Sequence, residues 1–189
     1  MPTSLLFLIG SRGTGKSTVG RVLAQRLGWQ FLDADEHLEA VAGRTIAAIF
    51  SEEGEAGFRD RETAVLAELC GLERHVVATG GGVVLRPANR ERLRRSGFVA
   101  WLRASPDVAF GRLQDDPTTA SRRPNLTAAG GLEEMRALVA SREPLYRECA
   151  EFAIDAGALS PEAAANAILT ACYSLYPSSF GASSSSSSA

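Results

Sequence analysis

The sequence predicts an α/β fold in three layers, with a five-stranded parallel sheet between helices. Three observations predict it. Short apolar runs alternate with segments of helical spacing, which implies parallel strands joined by helical crossovers. The first run, Leu5 to Ile9, passes through a glycine-rich turn straight into VGRVLAQRL, where Val19, Val22, Leu23 and Leu27 recur at helical spacing. The chain has 189 residues, enough for one well-packed domain and short for two.

The other elements follow in order. QFLDA reads as a second buried strand. Asp35 to Ala42 and Thr45 to Ser51 read as short helices divided by Gly43, and Gly54 and Gly57 open a longer helix from about Phe58 to Leu69. HVVATGGGVV, 75–84, is a strand ending in three consecutive glycines, and Pro87 suits the first turn of a helix through Arg95. FVAWL, 98–102, is the fourth strand; Ser105 and Pro106 then cap and open a helix to about Leu113. From Gln114 to Gly131 the composition turns to Asp, Pro, Thr and Gly, and a loop this long in a compact domain is usually functional, so it reads as a lid. Glu133 to Cys149 is helical despite Pro144, EFAID is the fifth strand, and SPEAAANAIL opens the last helix behind a Ser cap. One domain is expected over 1–172. The tail, 173–189, becomes serine-rich after Pro177 and is expected to be disordered.

Composition narrows the function. Hydrophobic residues make up 45% and charged residues 22%, ordinary for a globular protein, and the net charge of −2 leaves no basic footprint for nucleic acid. Any anion must be bound by groups arranged locally. Cys70, Cys149 and Cys172 are odd in number, form no CxxC pair and sit in apolar helical contexts, which points to a reducing compartment. The apolar start is too short for a signal-peptide core, and no run approaches the ~18 residues of a membrane span. A cytoplasmic protein is expected.

Residues 10–17, GSRGTGKS, fit the pattern G-x-x-x-x-G-K-[ST] with Gly10, Gly15, Lys16 and Ser17 at the required places. In such a loop the backbone N–H groups of Gly10, Ser11, Arg12, Gly13, Thr14, Gly15, Lys16, Ser17 and Thr18 surround a polyphosphate. The helix that follows turns its positive end toward it, and Ser17 offers a hydroxyl to Mg²⁺. Lys16 is the one lysine among twenty basic residues. A compact ammonium on a thin stem reaches between phosphates where the planar arginine fork is too wide. A glycine-rich turn with a solvent-exposed lysine is the plain alternative; the strand before and helix after the motif argue against it.

Phosphate binding alone does not separate kinases from switches and motors. The segments FLDADEHLEAVAGRTIAAIFSEEGEAGFRDRE (31–62), ATGGGVV (78–84), SRRPNL (121–126) and SREPLYRECA (141–150), taken with the phosphate loop, resemble the shikimate kinase family over about residues 5–172. The resemblance implies a P-loop kinase of the nucleoside-monophosphate-kinase type with a mobile lid (about 113–131) and a substrate-binding subregion (about 33–60). It also implies transfer of the ATP γ-phosphoryl group to the 3-hydroxyl of shikimate in chorismate and aromatic amino-acid biosynthesis, with ATP and Mg²⁺ as cofactors. A monomer without nucleic-acid or membrane partners is expected.

Arg59 and Arg142 match the family's carboxylate-binding arginines, and a guanidinium grips a carboxylate through two parallel hydrogen bonds. From spacing alone, a surface helix ion pair with Glu55 is the favoured reading of Arg59, and the motif match reverses that. Asp33 and Asp35 end a predicted strand, where ligands gather in open α/β sheets, although an Asp helix cap is the plain reading of either. By resemblance Asp33 faces Mg²⁺ through water, and Asp35 accepts from substrate hydroxyls and acts as the base. Gly80, Gly81 and Gly82 offer bare backbone to the substrate. Arg123 matches the arginine that stabilises the transferring phosphoryl group, with Arg122 able to exchange with it, and Asn125 stands where the family more often has Leu. Arg112 fits the arginine that stacks on adenine, with the loop after Asp155 closing the other side. His37 and His75 show no ligand spacing and read as structural. Two alternatives remain at this stage: a kinase for another small hydroxylated acid, such as gluconate or quinate, and a non-catalytic ligand-sensing module.

Overall fold

The computed structural model describes residues 4–115 and 131–180. Five strands, β1 (Leu5–Ile9), β2 (Gln30–Asp33), β3 (His75–Ala78), β4 (Phe98–Arg103) and β5 (Phe152–Asp155), form one sheet in the order β2-β3-β1-β4-β5. Every pairing is parallel. β1 lies in the middle and is buried along its whole length, as a strand covered on both faces must be. Its side chains alternate between two cores. Leu5, Phe7 and Ile9 join one cluster with Phe58, Leu66, Leu93 and Tyr146, whereas Leu6 and Leu8 join the other with Leu23, Ala164 and Ile168. The continuous apolar run LLFLI therefore serves both faces at once.

The helices that supply these clusters are α1 (Lys16–Leu27), α2 (Ala34–Ala42), α3 (Ile46–Leu69), α4 (Pro87–Ser96), α5 (Pro106–Asp115), α6 (Leu132–Cys149), α7 (Pro161–Leu175) and α8 (Pro177–Phe180). α1 and α7 cover one face; α3, α4 and α6 cover the other. Their ends follow local chemistry. Asp33 caps α2, Thr45 caps α3 and Ser160 caps α7, each side chain accepting from a backbone N–H in the first turn. α3 is two helices in one span, broken at Gly54, whose φ of 69° and ψ of −173° are non-helical. The expected boundary at Gly54 is thus real, but helix resumes at once and Gly57 lies inside it.

Two expectations need correction. VV of HVVATGGGVV leaves the strand and forms a single 3₁₀ turn, Val83–Leu85, because β3 ends at Ala78 and the chain turns through the glycines. The end of ordered structure at 172 is also set too early: α7 continues to Leu175 and α8 follows. Phe180 is 4% exposed against Trp29 and Phe98, so aromatic burial holds a segment whose serines suggested disorder. The expected lid falls almost wholly at 116–130, outside the described residues, as do Arg122, Arg123 and residues 181–189 of the tail.

Candidate active site

The site sits at the carboxyl ends of the strands, where the chain order reverses around β1. A cleft of about 600 Å³ opens there, lined on one side by Arg12 to Thr18 and on the other by Asp33, Asp35, Thr79 and Gly81.

Backbone builds the nucleotide side. Gly10, Gly13 and Gly15 all have positive φ (139°, 76° and 89°). A Cβ on Gly10 would collide with the Leu102 carbonyl and one on Gly13 with the Ala109 carbonyl, so these two positions need glycine on both conformational and steric grounds. Thr14 braces the turn by donating to the Ser11 carbonyl at 2.9 Å. Gly15 is the N-cap of α1 and offers no side-chain cap, which leaves the first helical N–H groups directed at the cleft. Lys16 Nζ donates to the Gly10 and Ser11 carbonyls at 2.8 and 2.7 Å, so its charge lies over the loop itself.

At the far end of the cleft Arg112 donates to the Ala156 and Gly157 carbonyls, at 3.1 and 3.3 Å. This joins α5 to the loop after β5, the two segments expected to flank the base. Leu159 and Ala164 add apolar wall beside them.

Ser17 Oγ donates to Asp33 Oδ2 at 2.7 Å, while Asp33 Oδ1 accepts from the Asp35 N–H at 3.0 Å. Asp33 is therefore both the α2 cap and the partner of the phosphate-loop hydroxyl, so the cap reading holds and does not exclude contact with a ligand. Asp35 lines the large cleft and also a recess of about 10 Å³ bordered by Glu62, Thr79 and Gly80, room for about one water.

Side chains from distant segments build the acceptor side. Arg59 is 7% exposed, which rules out a surface helix pair. It does contact Glu55, at 3.2 Å, but its shorter partner is the buried Glu62 at 2.7 Å, one helical turn on. Charge burial on this scale demands such pairing. Neither Arg59 nor Arg142 lines the large cleft; both meet it through the glycine turn. Gly82 packs so closely on the Arg59 guanidinium that a Cβ would collide with it. Arg142 Nη1 lies 3.4 Å from the Gly81 carbonyl. A Cβ on Gly81 would stand 3.4 Å from the Gly10 carbonyl and 3.5 Å from the Arg12 nitrogen, in contact with the phosphate loop. One turn thus touches the phosphate loop and both arginines.

Three participants escaped the sequence reading. Glu62 stands three residues after Arg59, a helical spacing that could have shown the pair. Tyr146 stands four after Arg142 and donates to the same Gly81 carbonyl, at 2.5 Å. Glu134, in the first turn of α6, lies 4.0 Å from Arg12 with its side chain only 5% exposed, and no local pattern marked it.

His37 contacts Glu68 and His75 the Glu73 carbonyl, both away from the cleft, as expected of structural histidines. Among the described residues no three His, Cys, Asp or Glu side chains gather to hold a metal, and no helix is long and apolar enough to cross a membrane.

Known proteins resemble this chain in sequence and in fold. Residues 12–173 match the family profile described as shikimate kinase. The chain is 46% identical to the shikimate kinase of Rhodopirellula baltica over 176 residues, covering 93% of this chain and 92% of that one. Against the shikimate kinase of Cupriavidus pinatubonensis it is 48% identical over 164 residues, 87% of this chain and 83% of the relative. A solved structure of shikimate kinase from Acinetobacter baumannii in complex with shikimate superposes with a TM-score of 0.85 at 39% identity, over 92% of this chain and 94% of that one. A gluconokinase from Sinorhizobium meliloti, covering 93% and 94% of the two chains, reaches a TM-score of 0.57 at 17% identity, a likeness of fold alone. With a profile spanning most of the chain and close relatives along nearly all of it, this chain belongs to the shikimate kinase family.

Proposed function

We propose that this chain transfers the γ-phosphoryl group of ATP to the 3-hydroxyl of shikimate, giving shikimate 3-phosphate and ADP. The Gly80–Gly82 turn carries the reading. It packs on the phosphate loop through Gly81 and on Arg59 through Gly82, which sets an anion grip one turn away from a nucleotide cradle.

The roles proposed for the described residues are supported by their geometry, and the others by the family resemblance. The N–H groups of the loop and of the start of α1 receive the polyphosphate, and Lys16 leaves the Gly10 and Ser11 carbonyls to reach it. Ser17 and Asp33, hard oxygen donors in direct contact, suit Mg²⁺, with Ser17 as ligand and Asp33 acting through water. Bound there, the ion would supply neutralisation of the charge on the β- and γ-phosphates. Arg59 and Arg142 orient the acceptor by its carboxylate. Asp35, between the cleft and the Arg59 helix, accepts the proton of the attacking hydroxyl. Arg112 and the loop after Asp155 flank adenine, and Arg123 is assigned the charge on the transferring group. The protein's work is positioning and charge stabilisation, as phosphoryl transfer requires.

A monomer is the proposed state. A cytoplasmic setting fits thiols that are unpaired and inert: burial pushes Cys149 up to about 11 and Cys172 up to about 12.

A coupled assay of ADP release with shikimate, quinate and gluconate tests the reading. Turnover is expected with shikimate, and its loss in folded Lys16→Ala and Asp35→Ala protein. Turnover with gluconate instead, or tight ATP binding without acceptor-dependent turnover, would replace it.

A further inference from the structure

We propose that Tyr146 is a positioning residue for the acceptor, acting by keeping Arg142 available; this rests on the reading of Arg142 as a carboxylate-binding group. Two donors from one face of α6, a turn apart, converge on the Gly81 carbonyl. The Tyr146 hydroxyl lies at 2.5 Å and Arg142 Nη1 at 3.4 Å. The first is a short hydrogen bond and the second lies beyond the usual 2.7–3.2 Å of N–H···O bonds, a weak contact. Tyr146 therefore satisfies the carbonyl, and Arg142 rests near it without being committed.

The placement of Tyr146 supports this division. Its ring is 1% exposed and stacks on Trp101 with centroids 5.7 Å apart, so the hydroxyl is aimed by a rigid body. Arg142 is half-buried at the approach to the turn. A buried carbonyl must be paired. Without the phenol the Arg142 guanidinium is the other donor already placed at this carbonyl, and a charged donor drawn fully onto it is one that an incoming carboxylate must first detach. The cost falls on acceptor binding. The nucleotide loop touches the other side of Gly81, toward Gly10 and Arg12, and should not sense the change.

Tyr146→Phe keeps the ring and its stacking and removes only the donor, so the variant is expected to fold. Steady-state kinetics should show KM for shikimate raised about threefold to tenfold, the worth of one buried hydrogen bond, with kcat and KM for ATP near wild type. In an Arg142→Ala background, Tyr146→Phe should leave KM for shikimate where Arg142→Ala alone puts it. An unchanged KM in the single variant, parallel changes for both substrates, or a full additional rise in the Arg142→Ala background would overturn the proposal. A thermal melt of each variant separates these outcomes from general destabilisation, which would lower the midpoint without moving KM. Wild-type protein inert toward shikimate would instead remove the underlying assignment of Arg142, a separate failure.

Discussion

The two halves of the proposed site, the loop that borders the cleft and the grip that meets it through the glycine turn, are built by different means. The nucleotide side is one continuous stretch of backbone, Gly10 to Thr18, shaped by three positive-φ glycines and closed by its own carbonyls and a single lysine. On the proposed acceptor side, three separate segments contribute side chains, Asp35 after β2, Arg59 on α3 and Arg142 on α6, and the glycine turn after β3 contributes backbone. A contiguous loop needs only its own turn chemistry. An assembled grip depends on sheet order, helix kinks and buried ion pairs being correct together, so it should be damaged from further away.

The largest expected effects separate the two sides outright. Lys16→Ala should lower kcat by about a hundredfold to a thousandfold, as removal of a charge that stabilises the transition state does. Arg142→Ala should raise KM for shikimate by about tenfold to a hundredfold, the loss of charge-assisted hydrogen bonds, with KM for ATP little changed. Steady-state kinetics on both substrates check this pair, and a shared shift in both constants would break the comparison.

Damage from a distance is the next test. Gly54 breaks α3 with a φ of 69°, and the break is tied across by Glu53 to Arg61, at 2.8 Å twice, and by Phe50 stacked on Phe58. Arg59 follows directly on Phe58. Gly54→Ala should destabilise the fold by about 1–2 kcal/mol, since alanine is strained there, and should raise KM for shikimate while leaving KM for ATP unchanged. A thermal melt and the same kinetics read both effects.

The smallest effect compares the cores beneath the two sides. Cys149 lies in the cluster under the acceptor helices and Cys172 in the cluster under α1 and α7. Burial raises both thiols from an ordinary 9.0, to about 11 and about 12. A thiol held protonated in the folded state contributes stability that is complete below pH 9 and is lost as pH rises toward those values, because the unfolded chain ionises first. The free energy of unfolding should fall above pH 9, by at most about 1.4 kcal/mol per pH unit for each thiol, and the thermal midpoint with it. Cys149→Ala and Cys172→Ala should each flatten the slope.

The same contrast decided what could be read in the residues alone. GSRGTGKS carries its structure in eight adjacent positions, and the strand before it and the helix after it are visible as apolar periodicity. The five strands and their helical crossovers were legible for the same local reason. Arg59 was ambiguous, because a helix shows Glu55 one turn before it but not whether the pair is buried. Glu62 and Tyr146 were missed because a glutamate on a helix and an aromatic among apolar residues look the same whether they hold a site or merely fill space. Phe180 was missed through its serine neighbours, since its partners Trp29 and Phe98 lie far away in the chain.

A crystal structure with shikimate and ADP bound tests most directly whether the two sides meet at one chemical event. The expected density has the acceptor carboxylate between Arg59 and Arg142, its 3-hydroxyl facing Asp35, and the diphosphate in the loop around Lys16. Shikimate bound elsewhere, with Arg59 still paired to Glu55 and Glu62 and Arg142 still beside the Gly81 carbonyl, would contradict it.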